Sequence, residues 1–339
     1  MDNIFSIKFK AKTLVEIILG YFLSFLEKGH GEDNHIFPIE IEGYKFIDEF
    51  KSQSPTVTCF KMGIYQSDSG EKAIAKIHNK KIKNKEYYWL INEIRSYRGF
   101  NYLYDKYGEE IKDKFPDICV PRMIYFKVEK NLVVVLIEFL DGDIIDNLSL
   151  VKKSEITEKI LEYFYFLGKY SKDKNLVKFF IKRSNLFFLF SINIYVLKAM
   201  IKNLSFIFLI TQAYLYFVSN YFCLPRLNDV QIVHRDLNPK NILFGSNKNK
   251  ISIIDLGLTA YSNKFLDAVI ANKYMYYCGD TSFNFYKLNF MRKLSLEHKF
   301  FKNYKILSVY STIYDLSFCP KQDRRLPYNY LIHILNLKI

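Results

Sequence analysis

The chain changes its hydrophobic rhythm as it is read. From residue 44 apolar and polar positions alternate through Tyr44, Phe46 and Phe50, and Lys-Ser-Gln-Ser-Pro at 51–55 reads as a turn. A second β-rich run covers 56–65, Asp68-Ser69-Gly70 makes a tight turn, and a third run covers 71–77. Three short strands joined by turns predict an antiparallel meander. Tyr88, Ile91, Ile94 and Tyr97 then recur at helical spacing and predict a helix over 85–104. Strands are expected at 122–128 and 132–139. The second carries the unbroken run Leu-Val-Val-Val-Leu-Ile, which predicts burial on both faces. Asp141-Gly142-Asp143 breaks the pattern and marks a domain boundary. Beyond residue 150 the pattern is mainly helical, with a helix at 154–167 opened by a capping box at Ser154 and a very apolar stretch over 186–224. A further amphipathic helix is expected at 12–27. The organisation predicted is α+β: a helical extension at 1–39, a β-rich lobe at 40–141 with one helix, and a mainly helical lobe at 142–339.

Composition narrows the class. Of 339 residues half are hydrophobic and a quarter charged, as in a globular protein. Lys and Arg number 49 against 35 Asp and Glu, a net charge of +14. Such a surface attracts phosphates, nucleic acids or anionic lipid. The basic residues are dispersed rather than gathered in one tract, so no nucleic-acid partner is expected. The cysteines, Cys59, Cys119, Cys223, Cys278 and Cys319, are widely spaced with no CxxC pair. That argues against a disulfide framework or a zinc site and suits a reducing cytoplasm. The apolar run at 17–26 follows Glu16 and lacks a small-residue cleavage site, unlike a signal peptide. Residues 204–224 hold no charged side chain, a length that could span a bilayer. The preferred reading is a buried central helix. The competing one is an interfacial or spanning helix, which would bring the chain to the inner membrane face.

The chemistry concentrates at 233–258. His234-Arg235-Asp236 is followed by Asn241, then by a hairpin pattern of Asn-Ile-Leu-Phe, a polar turn and Ile-Ser-Ile-Ile, and then by Asp255-Leu256-Gly257. A hairpin would fold Asp255 back toward Asn241, giving a carboxylate and an amide oxygen of the kind that hard divalent cations take. Asp236 opens the same loop as a carboxylate able to accept a proton.

This segment resembles the catalytic loop and metal-binding segment of the protein-kinase-like superfamily, with HRD at 234–236, HRDxxxxN ending at Asn241, and Leu256 standing where the DFG motif has Phe. The resemblance covers residues 44–270. It implies a bilobal fold, an antiparallel sheet lobe and a helical lobe, and an ATP- and Mg²⁺-dependent transfer of the γ-phosphoryl to a hydroxyl. Asp236 would act as catalytic base, with Arg235 beside it and His234 structural. Asn241 and Asp255 would hold Mg²⁺, and Gly257 would permit an unusual backbone after the metal ligand. Ala73-Ile74-Ala75-Lys76 is similar to the VAIK strand, so Lys76 would reach the ATP phosphates, paired with Glu93 seventeen residues on. Residues 137–142 resemble the hinge, where the backbone of Glu138 and Leu140 would read the adenine edge. The glycine-rich loop is absent; in its place Ser52 and Ser54 could touch phosphate.

No APE follows Asp255. Instead Asp267 comes only twelve residues later, placed to brace the catalytic loop by accepting its backbone N–H groups. So short a connection resembles lipopolysaccharide (Kdo and heptose) kinases and aminoglycoside and choline phosphotransferases. It implies a hydroxyl-bearing small-molecule or glycolipid acceptor. An atypical protein Ser/Thr kinase and a nucleotide-binding pseudokinase module are the alternatives.

Overall fold

The computed structural model describes residues 37–50, 61–79, 85–129, 132–224, 230–245, 249–279, 289–297, 300–319 and 323–337. The expected helix at 12–27, the turn at 51–55 and the start of the second β-run lie outside them. The described residues form two compact units, one drawn from 37–110, 119–141 and 254–258, the other from 111–118, 142–253 and 259–337.

The first unit is built on a six-stranded antiparallel sheet. Its strands are β1 (Glu40–Ile41), β2 (Tyr44–Glu49), β3 (Lys61–Ser67), β4 (Lys72–Asn79), β5 (Met123–Val128) and β6 (Leu132–Glu138). The spatial order is β1-β2-β3-β4-β6-β5, so the meander runs from β1 to β4 and β6 lies between β4 and β5. The turn after β3 closes through the Gly70 amide on Ser67 O and the Ser67 amide on Glu71 O. β6 is paired on both sides, and Val133 to Ile137 are all buried, as its unbroken apolar run predicts. One sheet face carries a core cluster of Tyr65, Ala73, Ala75, Ile77, Val134 and Leu136. Strand alternation turns Lys76 to the opposite face.

Helix α1 (Lys85–Lys114) runs ten residues past its expected end at 104. Leu103 and Ile111 are buried, eight residues apart on one stripe, and this periodicity outlasts the charges around Gly108 that hid it in the sequence.

The second unit is mainly helical. It contains α2 (Leu150–Leu167), α3 (Asn185–Lys202), α4 (Ile207–Asn220), α5 (Leu266–Tyr277), α6 (Phe300–Phe318) and α7 (Arg325–Asn336). α2 begins earlier than expected. Its cap is Ser149, whose side chain accepts from the Lys152 amide, while Ser154 Oγ donates to Leu150 O within the first turns. The helix buried all round is α6, with Phe300, Tyr304, Ile306, Leu307, Val309, Ile313 and Leu316 all inside. α3, α4, α5 and α7 pack on it. This corrects the expectation of a buried helix at 204–224: α4 buries only Ile210, Ala213 and Phe217 and leaves its other face open.

Two small sheets present the loops of this unit. β9 (Val230–Val233) pairs antiparallel with β12 (Ala260–Asn263), which pairs parallel with β8 (Ile181–Lys182). β10 (Ile242–Gly245) and β11 (Lys250–Ile253) form the expected hairpin, joined by β7 (Asp143–Ile144). The chain passes from the first unit to the second between Asp141 and Gly142. Gly142 has φ +150° and lies so close to β10 that an added Cβ would sit 3.1 Å from the Phe244 carbonyl carbon, a place only glycine fits.

Candidate active site

In the sheet unit, β4 and α1 bring Lys76 and Glu93 together. The Lys76 ammonium donates to Glu93 Oε1 at 2.6 Å, and the pair is buried. Asp255 joins them, its Oδ1 3.8 Å from Lys76 Nζ, but it stays half-exposed. Burial pulls the Lys76 ammonium pKa down, yet the charges of Glu93 and Asp255 outweigh it and the net direction is up. Burial pushes the Glu93 carboxyl up against the pull of Lys76, with Asp255 adding to the rise. The causes differ: burial comes first in raising Glu93, whereas the two neighbouring carboxylates raise Lys76 against its burial.

Asp255 has φ +58°, the left-handed region that only short polar side chains tolerate well. Gly257 does not, which corrects the role expected of it. Its need is space and hydrogen bonding: an added Cβ would lie 3.3 Å from Asp255 Oδ1, and its carbonyl accepts from Asn92 Nδ2 at 2.7 Å. Asn92, next to Glu93 on α1, thereby holds the Asp255 turn. Only that adjacency could have pointed to it from the sequence.

Glu138 and Leu140 lie at the end of β6. The Glu138 amide donates to Arg122 O at 2.9 Å, so only its carbonyl could read a base edge. Leu140 has no backbone hydrogen bond among the described residues. Ser52 and Ser54 lie outside the described residues.

In the helical unit, the loop after β9 carries the other set. Asp267, at the start of α5 and buried, accepts the His234 amide on Oδ2 and the Arg235 amide on Oδ1, both at 2.8 Å. Burial pushes its carboxyl up, and the neighbouring positive charges and these two amides only partly offset that. The brace fixes Arg235 at φ +67°. His234 is fully buried against the Phe164 ring, and its Nδ1 accepts the Asp236 amide at 3.3 Å. The Arg235 guanidinium turns toward the Phe187 ring, 5.9 Å from its centroid. Its side chain therefore packs against α3.

Asp236 is held from two sides. Asn241 Nδ2 donates to its Oδ2 at 2.9 Å and to its carbonyl at 3.0 Å. The Tyr274 hydroxyl donates to its Oδ1 at 3.2 Å. With Nδ2 committed, the Asn241 side-chain oxygen is the atom left for a cation, which fits a hard-metal ligand. The hairpin register, with Ile242 opposite Ile253, sets Asn241 just before one strand and Asp255 two residues past the other. Burial, with Asp236 and Asp315 nearby, raises the Tyr274 hydroxyl well above its usual range, so it remains a donor. Tyr274 follows Asp267 by seven residues, two turns along one face of α5, and that spacing could have pointed to it.

A cavity of about 460 Å³ opens beside this loop, lined by Asp146, Lys153, Asn238, Lys240, Tyr274 and Cys278 among others. Lys153 is buried and pairs with Asp146 at 3.5 Å. Burial and Asp146 push the Cys278 thiol up, so it is a neutral lining group. Among the described residues no cysteine is in a disulfide.

No family model and no curated protein matches the chain. Solved structures match in fold. An amicoumacin kinase, solved with AMP-PNP and Ca²⁺, is similar over 87% of this chain and 88% of its own, with TM-score 0.51 and 11% identity. A GDP complex of an aminoglycoside 2′-phosphotransferase variant is similar over 88% and 90%, with TM-score 0.50 and 13% identity. The chain thus has the bilobal, protein-kinase-like α+β fold, of the type seen in small-molecule phosphotransferases.

Proposed function

We propose that this chain is a phosphotransferase that moves the γ-phosphoryl of ATP to a hydroxyl of a small-molecule or glycolipid acceptor. The observation that carries the reading is the Lys76 ammonium held between buried Glu93 and half-exposed Asp255. Such an ammonium is extended and charged, ready to meet phosphate oxygens. Asp236, oriented by Asn241 and Tyr274, receives the hydroxyl proton as the oxygen–phosphorus bond forms and the bond to the β-phosphate oxygen breaks. Mg²⁺, when bound with ATP, neutralises charge on the phosphate oxygens; Asn241 and Asp255 are the side chains that would hold it. Asp267 and His234 keep the loop rigid, so the carboxylate need not reorganise during transfer.

Two features favour a small acceptor over a protein. The stretch between Asp255 and Asp267 is occupied by β12, paired on both sides, which leaves no long segment to form a peptide platform. The cavity at Tyr274 falls within the usual range for small-molecule sites. Its lining sets Lys153 and Lys240 against a single Asp146, a balance suited to a neutral or anionic acceptor rather than a polycation.

The test is transfer from γ-labelled ATP to panels of neutral sugars, phosphorylated sugars, glycolipids and proteins, with Asp236→Asn and Asp255→Asn alongside. Label on a sugar or glycolipid that both variants lose supports the reading. Label confined to proteins would assign the alternative kinase. Nucleotide binding with no transfer to any panel would assign the pseudokinase.

A further inference from the structure

The most apolar stretch of the chain presents much of its apolar surface to solvent. Along α3 the side chains of Leu186, Phe190, Ile194, Leu197 and Ile201 are exposed. Their spacing of four, four, three and four residues puts them on one helical face. Through α4 and its flanks Leu204, Phe208, Leu215, Val218 and Phe222 repeat the pattern, with Phe208 88% and Phe222 91% exposed. Both inner faces are committed. Phe188, Ile192 and Ala199 of α3 and Ile210, Ala213 and Phe217 of α4 are fully buried. Ser191 Oγ and the Tyr310 hydroxyl share a hydrogen bond at 2.8 Å, and Asn203 Nδ2 donates to Leu316 O at 3.1 Å, tying the pair to α6. The Tyr214 hydroxyl donates to Asn193 Oδ1 at 2.7 Å, and both residues lie toward solvent, so the two open faces adjoin.

By length and composition α3 and the helical stretch Leu204–Cys223, which contains α4, could each cross a bilayer. With one side of each fastened to α6, neither can be surrounded by lipid, so the geometry suits lying in an interface rather than spanning. An adjoining apolar face of this size on a globular unit marks an interaction surface. Charge says which kind. From Lys174 to Leu224 there is no Asp or Glu, while Lys174, Lys178, Lys182, Arg183, Lys198 and Lys202 are all basic. A hydrophobic face carried by a segment whose only charges are basic complements an anionic lipid headgroup layer.

We infer that α3 and α4 form a docking face that lies flat in the interface of an anionic membrane. This goes beyond the phosphotransferase reading and does not depend on it. The experiment is flotation of the full chain with vesicles of phosphatidylcholine, alone or with about one-third phosphatidylglycerol. The wild type is expected to float with the anionic vesicles at least about tenfold more than with the neutral ones. Phe208→Glu/Phe222→Glu should lower that binding at least about tenfold. Both rings are exposed, so the melting temperature should be unchanged; should the double variant fail to fold, Lys182→Glu/Lys202→Glu supplies the same test through charge. Leu296→Glu, an exposed leucine outside α3 and α4, should bind as wild type.

The proposal is overturned if the wild type stays unbound with both vesicle types, or if the Phe208→Glu/Phe222→Glu protein floats undiminished. A lipid-free dimer in sedimentation velocity, lost in that variant, with no vesicle binding by the wild type, would overturn it in favour of a second copy. ATP turnover plays no part in these readings, so their failure is separable from failure of the phosphotransferase reading.

Discussion

Each unit buries a lysine against a carboxylate. Lys76 meets Glu93 at 2.6 Å in the sheet unit, and Lys273 meets Asp315 at 2.8 Å in the helical unit. The surroundings differ. Lys273 also donates to Ser311 Oγ, and Asp315 accepts the Tyr277 hydroxyl, so neutral groups complete that pair. Lys76 instead faces a second carboxylate, Asp255, that solvent reaches. The α5–α6 pair is electrically closed, whereas the β4–α1 pair has an excess negative charge directed outward. A buried ion pair taken alone says little about function, since such pairs often contribute little net stability and serve mainly as structure. What separates these two is the unmatched third charge.

That contrast can be broken most directly at Asp255. Asp255→Asn keeps the size and tolerates φ +58°, but removes the excess charge. Phosphoryl transfer is expected to fall by about 10²–10³, the usual effect of losing one group that stabilises transition-state charge. Thermal unfolding should be nearly unchanged. Transfer at the wild-type rate would show that the third charge is incidental.

Lys273→Met makes the opposite prediction. It leaves Asp315 buried without its cation and should cost about 3–5 kcal/mol of stability in urea unfolding. Lys273→Met/Asp315→Leu should recover most of that, because both charges are then gone. Residual transfer per folded molecule should match wild type. A single variant as stable as wild type would end the view of this pair as structural.

Asp267→Asn sharpens the picture within the helical unit. One of its two acceptors becomes a donor facing a backbone N–H. The expected cost is about 1–3 kcal/mol of stability and a smaller loss of transfer than at Asp255. If the protein melts as wild type, the paired 2.8 Å contacts do not hold the loop.

How far these features could be read from sequence follows from how local their signals are. The Lys76–Glu93 pair and the Asp267 contacts were legible because they attach to fixed motif distances, and the strands because alternation is a two-residue signal. Tyr274 was missed although it shares a helical face with Asp267. Lys273 and Asp315 stand 42 residues apart with no motif around either, so only tertiary packing reveals them. The buried helix was misplaced for a related reason. α6 contains Asn303, Lys305, Ser308, Thr312 and Asp315, a composition that does not read as core. Several of these polar groups find internal partners: Lys305 Nζ donates to Leu335 O and Leu337 O, and Thr312 Oγ1 to Ser308 O. α4 has the composition of a core helix yet only one face against protein. Hydropathy reports what a helix could bury, and the partners decide what it does bury.

The smallest effect expected is a pH dependence in the helical unit. His333 on α7 stacks on the Tyr276 ring at 5.4 Å and keeps one edge toward water. Burial lowers its imidazole below the usual value. The unfolded chain therefore takes up this proton first as pH falls through about 6.5, while the folded chain resists it. The contribution of this group to stability is complete above about 6.5 and declines as pH falls toward the folded pKa. His333→Phe keeps the ring stack and removes the titration, so the advantage of wild type over the variant should be smaller at pH 5 than at pH 8. The change should be on the order of one degree in melting temperature, because the exposed edge screens much of the effect. A difference between the two proteins that stays constant, or grows on acidification, would mean that the folded state does not disfavour the imidazolium.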